Sequence, residues 1–169
     1  MLLYETPRTQ VAKAALTLFE TGLVVNTSGN VSTKVEEHVV ITPSGRPYNE
    51  MEPRDIVVLD LEGNIIDGDL LSSSETPLHL AIYAAYPQTT AIVHTHSIHA
   101  TAVSTLLSEL PAIHYQIADL GGPVPVAPYR TLGTSALADI VTKALRNRDA
   151  ALMQNHGAVT IGNTIEQAL

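Results

Sequence analysis

Three histidines and one glutamate carry the residue types and spacings from which chemistry can be built. His94 and His96 stand two residues apart at the end of the apolar run Ala91-Ile92-Val93. In a strand, residues i and i+2 point to the same face, so both imidazoles leave the strand end side by side. Two neutral imidazole nitrogens so placed suit one metal ion, although such a pair also arises on a solvated strand edge. His156 follows a second short apolar run, Ala150-Ala151-Leu152-Met153, and precedes Gly157. Three histidines at strand ends make a three-nitrogen site with an open position for water or substrate. Zn2+ is the expected ion, because imidazole suits it and nothing in the pattern asks for redox chemistry. Glu75 follows Ser72-Ser73-Ser74 at a helix start. Alone, a glutamate there does no more than interact with the helix dipole. Beside a metal site it is the carboxylate that proton transfer needs.

Three short segments read as anion-binding turns: Ser28-Gly29-Asn30, Pro43-Ser44-Gly45 and Ser72-Ser73-Ser74. Glycine allows positive φ and close approach of the backbone. Hydroxyls and exposed N–H groups can then surround a phosphate. Small polar residues fill ordinary turns as well, and no Walker lysine is present. The remaining histidines read as ordinary. His79 and His99 sit on helices beside the site, where each has two readings, support behind the site residues or packing, with packing the expected role; His38 is expected exposed in a turn, and His114 packs beside Tyr115.

The elements that must position these residues are legible from periodicity and stop signals. Thr6-Pro7 reads as an N-cap and first helical residue, with Gly22 as the stop. Residues 39–42, 56–60 and 65–66 read as neighbouring antiparallel strands. A helix starts at Glu75-Thr76-Pro77 and ends before Pro87. The His94 strand follows, then a helix over 97–109, a short strand over 124–126 and a helix over 133–146. Strands over 150–153 and 158–161 flank His156. Thr164 and Gln167 have capping-box spacing, and the chain ends roughly one helical turn later. The expectation is an α/β fold of three layers, α/β/α, with a central, mostly antiparallel sheet. Residues 1–169 read as a single domain that stops early at its C-terminus.

Composition narrows the function classes. Apolar residues make up 45% and charged residues 15%, which argues against disorder. The net charge of −8 and nine basic residues, without a basic run, argue against a nucleic-acid groove. The absence of cysteine excludes disulfides and thiolate metal sites. No basic leader with a long apolar run opens the chain, and no apolar run is long enough to span a bilayer, so a cytoplasmic, membrane-free protein is expected.

Taken as a set, these pieces resemble the class II (zinc-dependent) sugar-phosphate aldolases of the aldolase/adducin superfamily. The matching segments are Thr27-Ser28-Gly29-Asn30-Val31-Ser32, Ile41-Thr42-Pro43-Ser44-Gly45, Ser73-Ser74-Glu75, His94-Thr95-His96-Ser97-Ile98-His99, Ala112-Ile113-His114-Tyr115 with Gly121-Gly122, Ala127-Pro128-Tyr129 and Asn155-His156-Gly157. They run through nearly the whole chain. The resemblance implies that His94, His96 and His156 hold one Zn2+ per subunit. Glu75 would be the catalytic acid/base and also a zinc ligand before substrate arrives. Gly29, Asn30, Ser44, Gly45, Ser73 and Ser74 would hold the substrate phosphate. Tyr115 would enter the site of a neighbouring subunit and protonate the aldehyde oxygen. A homotetramer with sites at subunit interfaces is implied. So is retro-aldol cleavage of a ketose 1-phosphate, such as L-fuculose 1-phosphate, to dihydroxyacetone phosphate and a short aldehyde such as L-lactaldehyde. Two departures stand out: the family pattern continues beyond Leu169, and Leu132 stands where phenylalanine is frequent. Two alternatives share parts of the pattern. One is an L-ribulose-5-phosphate 4-epimerase-like enzyme. The other is a non-catalytic adducin-like interaction domain.

Overall fold

Apolar residues alternate sides along the strands, and each side meets its own set of helices. The computed structural model describes residues 2–169. Its nine strands are β1 (Asn30–Val35), β2 (His38–Ile41), β3 (Val57–Asp60), β4 (Ile65–Asp67), β5 (Ala91–Thr95), β6 (Glu109–Leu110), β7 (Val124–Ala127), β8 (Ala150–Met153) and β9 (Gly157–Gly162). They form one sheet in the order β4-β3-β2-β1-β5-β9-β8-β7-β6. Every pairing is antiparallel except β7 with β8.

The helices are α1 (Glu5–Glu20), α2 (Thr76–Ala85), α3 (Ile98–Leu106), α4 (Ser135–Ala144) and α5 (Ile165–Ala168). Val39, Ile41, Val57, Leu59, Ile92, Ala151 and Met153 face α2 and α4, burying Leu78, Ile82, Leu137 and Val141. The intervening Val40, Val58, Ala91 and Val93 face α1 and α5, meeting Val11, Ala15, Leu18 and Ile165. Ala150 and Leu152 pack towards Val103 of α3. Alternation with period two thus produces two apolar faces and the three-layer α/β/α arrangement.

Several boundaries differ from the sequence expectation. Helix α1 begins before Thr6: its N-cap is Tyr4 in the left-handed region, and no side chain caps it. Glu75 is the N-cap of α2 rather than a first-turn residue. Helix α3 ends at Leu106, and Glu109-Leu110 pairs with β7 instead of extending it. Strand β1, which occupies a central place in the sheet, is absent from the sequence reading. At the C-terminus Thr164 accepts from the Gln167 N–H at 3.1 Å, and the Gln167 side chain accepts from the Asn163 N–H at 2.9 Å. The return bond of the capping box therefore lands one residue early. No helix among the described residues is long and apolar enough to cross a membrane.

Candidate functional site

The strand pairing brings the three histidines to one end of the sheet. β5 and β9 run antiparallel with Thr95 opposite Ala158, so the residues just beyond each register end converge. β1 lies on the other side of β5 with Asn30 opposite His94. Directly opposed residues share a face, so Asn30 and His94 both look towards the α2 layer. Glu75, at the start of α2, closes the group.

Two glycines permit this packing. A Cβ on Gly157 would lie 2.1 Å from the Thr95 carbonyl oxygen, so only glycine lets β9 approach β5 beside His156. Gly29 has φ +80, and a Cβ there would meet Val24 at 2.7 Å and the His94 carbonyl at 2.8 Å. Its place in the turn before β1 therefore rests on both backbone freedom and lack of volume.

Glu75, His94, His96 and His156 each offer one ligand atom, all within 4.8 Å of one another. His94 Nε2 lies 2.7 Å from Glu75 Oε2 and 2.9 Å from His96 Nε2. His156 Nε2 lies 3.5 Å from Glu75 Oε1. His94 and Glu75 are buried, whereas His96 and His156 are partly open to the cavity. His94 Nδ1 is 2.9 Å from the Ala158 carbonyl, an acceptor only, so Nδ1 carries the proton and donates. That leaves Nε2 directed at the cluster, the arrangement found behind metal-ligating imidazoles.

The donor set fits a metal ion. Burial holds His96 down to about 4, helped by the fields of His94 and His156, and likewise lowers His156. His96 and His156 are thereby held towards the neutral form, the form that can ligate a metal. Burial pushes the Glu75 carboxyl up, but His94, His156 and Asn30 outweigh it and hold it well below the usual carboxylate range. Glu75 Oε1 is buried and has no hydrogen-bond partner. Three imidazole nitrogens and a carboxylate with an unpartnered oxygen, gathered around one point, suit a cation there. Tetrahedral zinc ligation at about 2.0–2.1 Å would set donor atoms roughly 3.3 Å apart. The observed separations of 2.7, 2.9 and 3.5 Å surround that value.

A cavity of about 190 Å³ opens beside the cluster. The segments 27–30, 43–45 and 73–75 wall it, together with His96, His156 and Leu132. Gly29, Asn30, Ser44, Gly45, Ser73 and Ser74 thus all border one space. The turns are tied to each other by an isolated bridge between Pro43 and Ser72 and by Ser73 N–H to the Thr42 carbonyl at 3.2 Å. The Ser44 N–H is already given to the Leu71 carbonyl, so its exposed hydroxyl is the part left for a ligand. No lysine or arginine lines the cavity among the described residues. An anion there would rely on hydroxyls, amides and the start of α2.

Tyr115 is placed elsewhere. It begins a 3-10 helix (Tyr115–Leu120), is 80% exposed and does not line the cavity. Its ring packs against His114 at 4.5 Å between centroids. His99 is exposed, and His38 opens β2 and bonds the Tyr4 hydroxyl at 3.0 Å. His79 takes the less favoured of its two readings, support behind the site: it is fully buried and hydrogen-bonded at both ring nitrogens. Its spacing of four from Glu75 on one helix face was the available signal.

Comparison with known proteins agrees with this geometry. Residues 9–169 match the family described as Class II Aldolase and Adducin N-terminal domain. The chain is 42% identical over 161 residues to the L-fuculose phosphate aldolase of Escherichia coli K12, covering 95% of this chain and 74% of that protein. It is 38% identical over 169 residues to the 5-deoxy-D-ribulose 1-phosphate aldolase of Bacillus thuringiensis, covering 99% and 79%. A solved structure named L-fuculose 1-phosphate aldolase superposes with a TM-score of 0.95 at 37% identity, covering 99% of this chain and 80% of that one.

Proposed function

The chain belongs to the class II aldolase and adducin N-terminal domain family, and from that membership we propose that it cleaves a ketose 1-phosphate to dihydroxyacetone phosphate and a short aldehyde. It is a class II aldolase, a carbon–carbon lyase. The observation that carries the substrate class is the juxtaposition of a hydroxyl-lined cavity with the Glu75–histidine cluster. L-Fuculose 1-phosphate, which yields L-lactaldehyde, is the preferred substrate, with 5-deoxyribulose 1-phosphate the nearest alternative. The names of the two relatives support both.

His94, His96, His156 and Glu75 would hold a divalent cation, with Zn2+ favoured by the three imidazoles. When bound, such an ion supplies Lewis-acid stabilisation of negative charge on the dihydroxyacetone phosphate half. Gly29, Asn30, Ser44, Gly45, Ser73 and Ser74 hold the phosphate and fix the donor against the cluster. In cleavage the C3–C4 bond breaks, the C4 hydroxyl loses its proton, and C3 gains one. Glu75, ionised in the free site, takes up a proton from solvent and passes it to C3, for which its carboxylate is placed at the cavity wall. Tyr115 from a neighbouring copy handles the proton at the C4 oxygen. Its surface position supports a role in a second subunit's site rather than its own. The assembly proposed is a homotetramer with interfacial sites. The reaction is placed in the cytoplasm, within the catabolism of fucose or a similar deoxy sugar.

The direct test is retro-aldol cleavage across a panel of ketose 1-phosphates, read as dihydroxyacetone phosphate released. Glu75→Gln is expected to lower kcat by roughly 10²–10⁴, the range for a positioned acid/base. Turnover like the parent in that variant, or a panel that is flat while ribulose 5-phosphate is epimerised, overturns the assignment.

A further inference from the structure

Behind Asn30 and Glu75 lies a buried chain of polar side chains, Tyr83, Ser32 and His79, that cleavage itself does not use. Tyr83 OH is 2.7 Å from Ser32 Oγ. Ser32 Oγ is 2.6 Å from His79 Nδ1. His79 Nε2 bonds Asn30 Oδ1, and Asn30 Nδ2 donates to Glu75 Oε2 at 3.3 Å. Ser32 and His79 are fully buried, and Asn30, Tyr83 and Glu75 nearly so.

The direction of every bond follows from its end. An ionised carboxylate only accepts, so the Asn30 amide nitrogen must face Glu75. Its oxygen then faces His79, whose Nε2 must carry the ring proton. Burial holds His79 neutral, at about 3, so Nδ1 is a lone pair. Ser32 donates to that lone pair, and Tyr83 donates to Ser32. The chain has one polarity, with every donor pointing towards Glu75. An amide whose two ends look alike sterically is thereby kept from flipping. Flipped, it would set its oxygen against the carboxylate.

We propose that His79, held by Ser32 and Tyr83, is a positioning residue that fixes the Asn30 amide so that Glu75 presents its carboxylate to the cation and to the substrate carbon. The catalytic part of this statement rests on the role assigned to Glu75 above; the ligating part rests only on the cluster. Asn30 keeps one further amide N–H for the cavity. The same lock therefore sets what the phosphate meets on that wall.

The test compares His79→Leu with His79→Gln in full-length protein. Gln places an amide N–H near the position of Nε2 and can still donate to Asn30, whereas Leu cannot. For His79→Leu, zinc affinity by chelator competition and kcat for retro-aldol cleavage should each fall roughly 10–100-fold, as for partners behind metal ligands. His79→Gln should recover both to within about threefold, even where the two variants melt at similar temperatures. In the parent, ring 15N NMR of the zinc-free protein should show His79 as the Nε2–H tautomer, and Asn30→Ala, which removes the acceptor at Nε2, should abolish that fixed tautomer. Should His79→Leu fail to fold, Ser32→Ala, which removes the hydrogen bond that holds the ring, carries the test through the same zinc readout. Equal zinc affinity and kcat in the Leu and Gln variants, or an Nδ1–H ring in the parent, overturns the proposal. A parent that cleaves no ketose 1-phosphate but shows the expected zinc and NMR responses would instead overturn the assigned reaction.

Discussion

Gly157→Ala is the substitution whose consequence can be worked most directly from the geometry. The added Cβ would sit 2.1 Å from the Thr95 carbonyl oxygen, 3.2 Å from its carbon and 3.4 Å from His94 Cε1. A carbon–oxygen contact needs roughly 3.3 Å or more, so β9 must retreat from β5 by about an ångström. The obstacle is backbone on a central strand pair, so no side chain can swing away. Overpacking of this kind costs about 1–3 kcal/mol. For a chain of this size that is a melting-temperature loss of roughly 2–12 °C. The displacement falls between His94 and His156, where an ångström of misplacement is worth about 10²-fold in rate. Gly45→Ala is the control: φ is +71, but a Cβ there meets nothing within 4 Å. It carries backbone strain of about 1–2 kcal/mol without moving the histidines. Thermal melts of metal-free protein and zinc competition on both variants decide the matter. A Gly157→Ala protein that melts within a degree of the parent and binds zinc equally well would show that β9 tolerates the added carbon.

Two further outcomes follow from buried groups away from the reacting atoms. Burial, aided by the His94 field and opposed by Glu75, lowers His79 to about 3. An unfolded histidine takes its proton near 6.5, so between these values the unfolded chain holds one proton more and stability falls as pH falls. The slope is up to about 1.4 kcal/mol per pH unit, and His79→Gln should remove it from urea unfolding curves taken at pH 7, 6 and 5. Parallel curves for parent and variant would contradict a neutral His79. Arg8 is fully buried on α1, donating to the Leu3 carbonyl at 2.7 Å and bonding the Ile56 carbonyl and Asp67. Arg8→Met should cost about 3 kcal/mol, because Asp67 is part exposed and the loss stays at the low end for a broken pair. Zinc affinity should be unchanged, and a zinc defect there would mean that α1 helps position the cluster.

The histidine pair was legible because its signal is local: two imidazoles at i and i+2 after Ala91-Ile92-Val93 need only a strand to be aligned. His156 was legible as a strand-end residue, but not as a neighbour of His94. That requires β9 to lie between β5 and β8, with Thr95 opposite Ala158. Pairing order depends on packing across the whole sheet, which periodicity does not encode. The three polar turns were likewise visible as turns. Their meeting around one cavity depends on the Pro43–Ser72 bridge, between residues 29 apart in sequence.

Strand β1 explains why a central element escaped the reading. Its buried α2-facing residues are Asn30 and Ser32, where a buried strand ordinarily places valine or leucine. Polar residues on one face and a glycine before the strand imitate a loop. They occupy that face because the hydrogen-bonded chain from Tyr83 to Glu75 crosses it. Burying these groups is tolerable only when each donor finds its acceptor. The deviation from apolar alternation is therefore itself informative. A strand that gives up two core positions beside the Glu75–histidine cluster does so to hold a side chain there in one orientation. In this molecule that side chain is Asn30, and the group it orients is Glu75.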